Sequence, residues 1–253
     1  MTSDRGRPTA LVTGGARRVG RAIALELARA GCDVVITFNS SLDEARRVID
    51  ECVALGVEAD CLALRLDDAR QLPAAARTLA QMRPRWDVLV HNASVYEPSP
   101  LADLTAQRAL HDYTVNALAP LLLTRALAPT LSRSPLPGGG AVVAMADIHA
   151  MGRPRKDFAS YSMSKAALVE MVRSLSRDLA PAVRVNAIAP GVVAWPEQGH
   201  ESDDAAQQAY LKRVPLQRAG TPEDAAKAVR WLALEAAYVT GEVVRIDGGR
   251  WLA

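Results

Sequence analysis

Short apolar runs alternate along this chain with longer stretches in which apolar positions recur every three or four residues. Residues 9–13, 33–38, 58–64, 86–90, 141–146, 183–188 and 243–246 read as seven strands. Between them, Val19, Ile23, Leu27 and Ala30, or Leu168, Met171, Val172, Leu175 and Leu179, fall on one face of a helix. Apolar strands alternating with amphipathic helices predict a parallel sheet, because parallel neighbours need a crossover long enough to hold a helix, and such crossovers are right-handed. The expected fold is α/β: a doubly wound, seven-stranded parallel sheet with helices on both faces. The segment 190–222 breaks the alternation, with a short helix expected over 203–212. Long connections at the carboxyl ends of parallel strands cover ligand sites, so this segment is expected to act as a substrate lid.

Composition bounds the rest. The 253 residues, 49% of them hydrophobic, suffice for one core, and no repeat or low-complexity linker divides them, so residues 1–253 are expected to form a single domain. Thirty basic against twenty-eight acidic residues leave a net charge of +2 without a basic block, which argues against nucleic acid as a partner. Cys32, Cys52 and Cys61 are odd in number and lack CxxC spacing, so they read as reduced thiols of a cytoplasmic protein. The polar start MTSDRGRP precedes no signal-type apolar region, and no charge-free apolar run of about 18 residues occurs, so neither secretion nor membrane spanning is expected. His91, His111, His149 and His200 lack metal-binding spacing, and GxSxG is absent, which disfavours a metal site and a hydrolase. Glu201, Asp203 and Asp204 read as a solvated helix start.

Two stretches carry candidate chemistry. Gly14, Gly15 and Gly20 lie between the first strand and first helix, where glycine lets a diphosphate approach amide groups at a helix N-terminus. A site for unphosphorylated ribose usually has an acid at the end of the second strand, but this chain has Asn39, Ser40 and Ser41. These three could bind a 2′-phosphate, with charge from Arg17 or Arg18, or could cap the helix that starts near Leu42; the former reading makes NADPH the cofactor. Asp67 could accept from an adenine amino group or cap a helix. The second stretch is Tyr161-Ser-Met-Ser-Lys165, with Asp147 fourteen residues upstream. The i, i+4 spacing puts tyrosine and lysine on one helix face, and an ammonium about 5 Å from a phenolate at an effective dielectric of about 20 favours it by roughly 3 kcal/mol. Lys165 is therefore expected to lower the Tyr161 pKa by about two.

TGxxxRxG at the start, Asn92-Ala93-Ser94, Asn116, Tyr161 with Lys165, Pro190-Gly191 and Asp247-Gly248-Gly249 occur in the order found in short-chain dehydrogenases/reductases. The chain resembles that family along essentially its whole length. The resemblance implies a Rossmann-type, NADP-binding subunit in which Tyr161 is the general acid and Lys165 holds the nicotinamide ribose. It further implies that Asn116 anchors a proton-conducting water and that Asn92 positions the cofactor and the central strands. The implied cofactor contacts also include Gly14, Arg17, Arg18, Val19, Gly20, Ala93, Ser94, Pro190, Gly191 and Val192. A homotetramer is implied as well, with residues 161–179 at one interface and 250–253 near a neighbour's site.

Arg18, Ser94, Tyr96 and Asp147 depart from the general pattern and look like the pteridine reductase branch, as do PGVVAWPE and DGGRWLA. That branch implies NADPH-dependent reduction of dihydropterins, oxidised pterins or dihydrofolate. Arg18 would meet the polar edge of the pterin, Tyr96 would cover its face, and Ser94 would bond cofactor or pterin. An ionised Asp147 would repel an alkoxide, but a carboxyl bonded to Tyr161 could pass a proton to a ring nitrogen. Trp195 is expected at the substrate, as a lid or packing residue. The alternatives are a carbonyl or 3-oxoacyl-thioester reductase and a catalytically silent NADP-binding regulatory protein.

Overall fold

The computed structural model describes residues 6–153, 155–196 and 202–253. His200 and Glu201 lie outside the described residues, as do the first five residues and part of the expected lid. Seven strands form one parallel sheet: β1 (Thr9–Val12), β2 (Asp33–Phe38), β3 (Ala59–Ala63), β4 (Val88–His91), β5 (Gly140–Met145), β6 (Val183–Pro190) and β7 (Val243–Ile246), in the order β3-β2-β1-β4-β5-β6-β7. Its helices are α1 (Arg18–Arg29), α2 (Leu42–Ala54), α3 (Leu72–Met82), α4 (Ala106–Tyr113), α5 (Ala119–Leu131), α6 (Ala159–Asp178), α7 (Asp204–Leu211) and α8 (Pro222–Leu234). This is the doubly wound parallel sheet that the apolar periodicity predicts and the Rossmann-type α/β fold that the family resemblance implies.

Strand residues alternate between two cores. Val12, Ile36 and Val90 face α1, α2 and α8, which contribute Ile23, Leu27, Val48 and Val229. Leu11, Val35 and Leu89 face the opposite side, against Leu79 of α3, Leu123 and Leu127 of α5 and Leu168 and Val172 of α6. Both faces of the strands are covered, so they read as continuous apolar runs rather than alternating ones. The sheet order reverses between β1 and β4, which both hydrogen-bond in parallel register. That reversal opens a crevice at the carboxyl ends of the strands, where the glycine turn and the segment after β4 meet.

The expected helix at 203–212 forms as α7, capped by Asp203, whose side chain accepts from the Ala206 amide. A capping box of Thr221 with Asp224 closes the long connection and starts α8. Burial pushes the Cys32 thiol up to about 12 and the Cys52 thiol to about 11, so these two are inert packing residues. Among the described residues, no helix is long and apolar enough to cross a membrane, and no His, Cys, Asp or Glu cluster could hold a metal ion.

Asp112, 1% exposed at the end of α4, accepts from Arg108 Nε at 3.0 Å and from Ser160 Oγ at 2.7 Å. The carboxylate therefore ties α4 to the first turn of α6, one residue before Tyr161. Replacing Asp112 with alanine leaves Arg108 its contact with Glu97 but removes the buried tie to Ser160, and is expected to cost about 2 kcal/mol, read as a lower denaturant midpoint at unchanged slope.

Candidate active site

Tyr161 and Lys165 leave α6 one turn apart, both buried, at the carboxyl end of β5. The Tyr161 hydroxyl donates to Asp147 Oδ2 at 2.7 Å. Asp147 Oδ1 accepts from the His149 amide at 2.7 Å, capping the 3-10 turn Ile148–Met151 that follows β5. One oxygen thus fixes the loop while the other meets the phenol. Lys165 Nζ donates to the Met145 carbonyl at 2.7 Å and lies 5.9 Å from the Tyr161 ring centroid.

These contacts reverse one expectation. The Tyr161 pKa is raised well above its usual 10 rather than lowered, first by burial, then by the charge of Asp147 and the hydrogen bond to it, with Arg155 opposing. The lysine is anchored to the end of β5, and its own pKa falls to about 8 because burial disfavours the ammonium, with Asp147 pulling the other way. In this state the phenol is a firmly held proton rather than an activated phenolate.

Asn116 sits in a π-helical turn, Thr114–Leu118, joining α4 to α5, a local irregularity that often marks functional positions. Its Oδ1 accepts from the Val95 amide and the Ser94 hydroxyl at 3.0 Å each, and its Nδ2 donates to the Val95 carbonyl at 3.1 Å and Ser164 Oγ at 2.9 Å. All four hydrogen-bonding positions of the side-chain amide are used within the protein, so the amide has none to spare for a water. It fixes the segment after β4 and braces α6 instead.

The glycine turn is held from below by Asn92, whose Nδ2 donates to the Thr13 and Gly14 carbonyls at 3.0 Å each. Gly14 has φ +64°, and a Cβ on Gly20 would collide with the Gly14 carbonyl and come within 2.5 Å of Asn92 Nδ2. Only glycine fits both positions. Arg18 also lies in the left-handed region, at φ +49°, where a side chain costs about 1 kcal/mol. Its guanidinium donates to the carbonyls of Ala194 at 3.0 Å and Trp195 at 2.8 Å, clasping the segment after β6 to the glycine turn.

Two cavities meet at Ser94. The larger, about 880 Å³, runs from Arg17, Arg18 and Val19 past Asn92 and Ser94 to Asp147, Tyr161 and Lys165, and is walled by Tyr96, Arg155, Pro190, Gly191, Val192 and Tyr210. The smaller, about 170 Å³, is lined by Gly14, Thr37, Asn39, Asp67, Ala93, Ser94 and His111. These two neighbouring spaces, with glycine where a Cβ would collide, fit a dinucleotide. Ser40 and Ser41 continue from Asn39 along the exposed edge, and the Ser41 side chain makes no cap bond to α2. Asp67 lies well before α3, so it caps no helix; Arg65 Nη2 donates to its carboxylate at 2.7 Å. Arg17 is paired with Glu44 of α2.

Three side chains stand differently from their sequence-based placement. Tyr96 does not present a free ring: it stacks on Phe158 at 4.9 Å, meets Tyr161 edge-on at 4.9 Å, and its hydroxyl accepts from Arg155. Trp195 does not line the cavity but packs edge-on against Tyr210 at 5.5 Å, and Tyr210 takes the wall position. Arg18 is spent on the main chain of Ala194 and Trp195 rather than turned to a heterocycle. Tyr210, Phe158, Arg155 and Ser164 were not legible as site residues; Ser164, three residues after Tyr161 on the same helix face, had the clearest signal.

The arrangement joins a glycine turn to a Tyr-Lys pair across the sheet's switch point, and a family model described as enoyl-acyl-carrier-protein reductase matches residues 14–250. The chain belongs to the short-chain dehydrogenase/reductase family. It is 30% identical over 247 residues to a 3-oxoacyl-acyl-carrier-protein reductase of Staphylococcus epidermidis, covering 96% of this chain and 99% of that protein. A 3-oxoacyl-acyl-carrier-protein reductase of Synechocystis is 31% identical over 244 residues, covering 95% of each. A short-chain dehydrogenase from Burkholderia cenocepacia, solved in complex with NADP, superposes with a TM-score of 0.87 at 31% identity, covering 98% of this chain and 99% of that one.

These relatives overturn the pterin expectation. Full-length matches to 3-oxoacyl reductases favour the carbonyl alternative, and the residues that suggested a pterin pocket are otherwise engaged: Arg18 with lid carbonyls and Tyr96 with Phe158. Residue types on a rim did not determine which atoms face the ligand.

Proposed function

We propose that this member of the family is an NADPH-dependent reductase of carbonyl substrates, of the 3-oxoacyl-thioester class. The observation that carries the reading is the hydroxyl of Tyr161, held at 2.7 Å from Asp147 above a buried Lys165, at the foot of a cavity that begins at the glycine turn. Gly14, Arg17, Arg18, Val19, Gly20, Asn39, Ser40, Ser41, Asp67, Asn92, Ala93, Ser94, Pro190, Gly191 and Val192 are assigned to the cofactor. Bound NADPH supplies the hydride. Tyr161 turns its hydroxyl from Asp147 toward the substrate oxygen and donates its proton as the alkoxide develops. Lys165 then stabilises the phenolate through its charge, and Asn116 keeps the wall after β4 in place. Retention of Tyr161, Lys165 and Asn116 together favours an active enzyme over a silent cofactor-binding protein.

Asp147 sits beside the developing negative charge, where a hydroxyl donor would assist and a carboxylate repels. Asp147→Ser is therefore expected to leave kcat/KM for a 3-oxoacyl thioester unchanged or raise it up to about tenfold, and to bring the Tyr161 pKa down. A loss greater than tenfold would count against the carbonyl reading. The direct test is NADPH oxidation with acetoacetyl and longer 3-oxoacyl thioesters, set beside simple ketones and dihydropterins. Turnover of a dihydropterin without turnover of any carbonyl substrate would overturn the proposal.

A homotetramer is part of the same proposal. Leu110 and Tyr113 of α4, Leu121 of α5 and Met163 of α6 are exposed apolar residues, which supports helix-to-helix self-association. A monomeric mass by light scattering would refute it.

A further inference from the structure

The ion pair of Arg17 with Glu44 stands where the proposed cofactor site must distinguish a 2′-phosphate from a 2′-hydroxyl. β2 ends at Phe38 without an acid, and the next residues enter α2, whose first turn contains Glu44. Arg17, the residue preceding α1, donates from Nε to Glu44 Oε1 at 3.0 Å and makes a second contact to the same oxygen from Nη2. That is the edge of the guanidinium suited to a bidentate phosphate contact. Both side chains are partly exposed, at 58% and 35%, so a ligand can reach them. The Glu44 carboxyl is held below its usual range, first by a backbone hydrogen bond and then by Arg17, with Arg47 adding to the effect. It is therefore an anion at neutral pH.

We infer that Glu44 is a competing counter-ion that sets cofactor preference: it occupies the arginine edge a 2′-phosphate requires, weakens NADP(H) binding, and narrows the preference over NAD(H). The inference rests on the proposed NADP(H) site. A phosphomonoester brings a charge of about −1.5 to −2 and must displace Glu44 from Arg17 while remaining close to its carboxylate. Glu44 acts through Arg17, so it is a positioning residue. The repulsion lies at the surface, so salt must weaken it; the Debye length falls from about 10 Å at 0.1 M to about 3 Å at 1 M.

Glu44→Gln keeps the shape and removes the charge. Calorimetric titration with NADP⁺, 2′,5′-ADP and NAD⁺ reads the effect without turnover. The two 2′-phosphorylated ligands should bind about tenfold more tightly at low salt, with NAD⁺ unchanged, and the gain should shrink toward 1 M salt. In an Arg17→Gln background the same substitution should give no gain. Unchanged or weaker binding of NADP⁺ and 2′,5′-ADP by Glu44→Gln, in a protein whose wild type binds NADP⁺, removes this inference alone. A wild type that binds neither dinucleotide removes the proposed cofactor site and the inference with it.

Discussion

Replacing Tyr161 with phenylalanine is expected to lower single-turnover reduction of a 3-oxoacyl thioester by about 10²- to 10⁴-fold, the usual contribution of a positioned acid. The substitution removes the hydroxyl that stands beside Asp147 at the foot of the cavity. The ring remains packed edge-on against Tyr96 and Phe158, and Asp147 keeps its second bond, from the His149 amide. Stability should therefore change by no more than about 1 kcal/mol, since the loss is one hydrogen bond to an oxygen of a residue that lines the cavity, where water can replace the phenol. NADPH affinity should also hold, because the glycine turn, Asn92 and Lys165 are untouched. Stopped-flow absorbance at saturating cofactor separates these effects. A loss below tenfold would mean that another group delivers the proton, and the assignment of Tyr161 would fail.

The sheet was readable from periodicity because its strands are buried on both faces and its helices on one. The expected strands agree with the observed ones to within about two residues, and α7 starts one residue from its expected position. That Tyr161 and Lys165 share a face was equally legible, since spacing on a helix determines it, whereas Asp147 meets Tyr161 from the loop after β5. Other features depend on loop paths and rotamers that no local pattern encodes. Arg18 reaches carbonyls 176 and 177 residues away, and Asn116 spends its whole amide on partners at Ser94, Val95 and Ser164. The sign of the Tyr161 shift was missed for a related reason. Spacing shows that a lysine is near, but not that its ammonium is turned to the Met145 carbonyl while the phenol is buried against a carboxylate. Substrate identity was least legible, because Tyr96 and Arg18 are engaged by neighbours that lie far off in sequence.

Lys165→Met is expected to separate stability from function more sharply than any other single change. In the native protein the lysine pKa is about 8 against an ordinary 10.5, so below pH 8 the fold holds a buried charge at a cost of about 3 kcal/mol relative to the neutral amine. The sign follows from proton counting. Between pH 8 and 10.5 the unfolded chain binds more protons at this site than the native one, so its contribution to stability rises with pH across that window and is lost as pH falls through 8. Tyr161, shifted upward, opposes this above pH 10. Methionine fills a similar volume without charge, and its one penalty is the Met145 carbonyl left without its partner, about 1–3 kcal/mol. At pH 7 the variant should therefore match or slightly exceed the wild type in denaturant midpoint, and it should lose the rise in stability between pH 8 and 10. Activity should fall about 10²-fold or more, because no cation remains to stabilise the phenolate that forms when Tyr161 gives up its proton. In the wild type the alkaline limb of kcat/KM should lie near pH 8, where the free enzyme loses the Lys165 charge while Tyr161 is still protonated; Lys165→Arg should move that limb out of range. A Lys165→Met protein several kcal/mol less stable than the wild type at pH 7, yet with near-normal turnover, would reverse both halves of the assignment and leave Lys165 a structural residue.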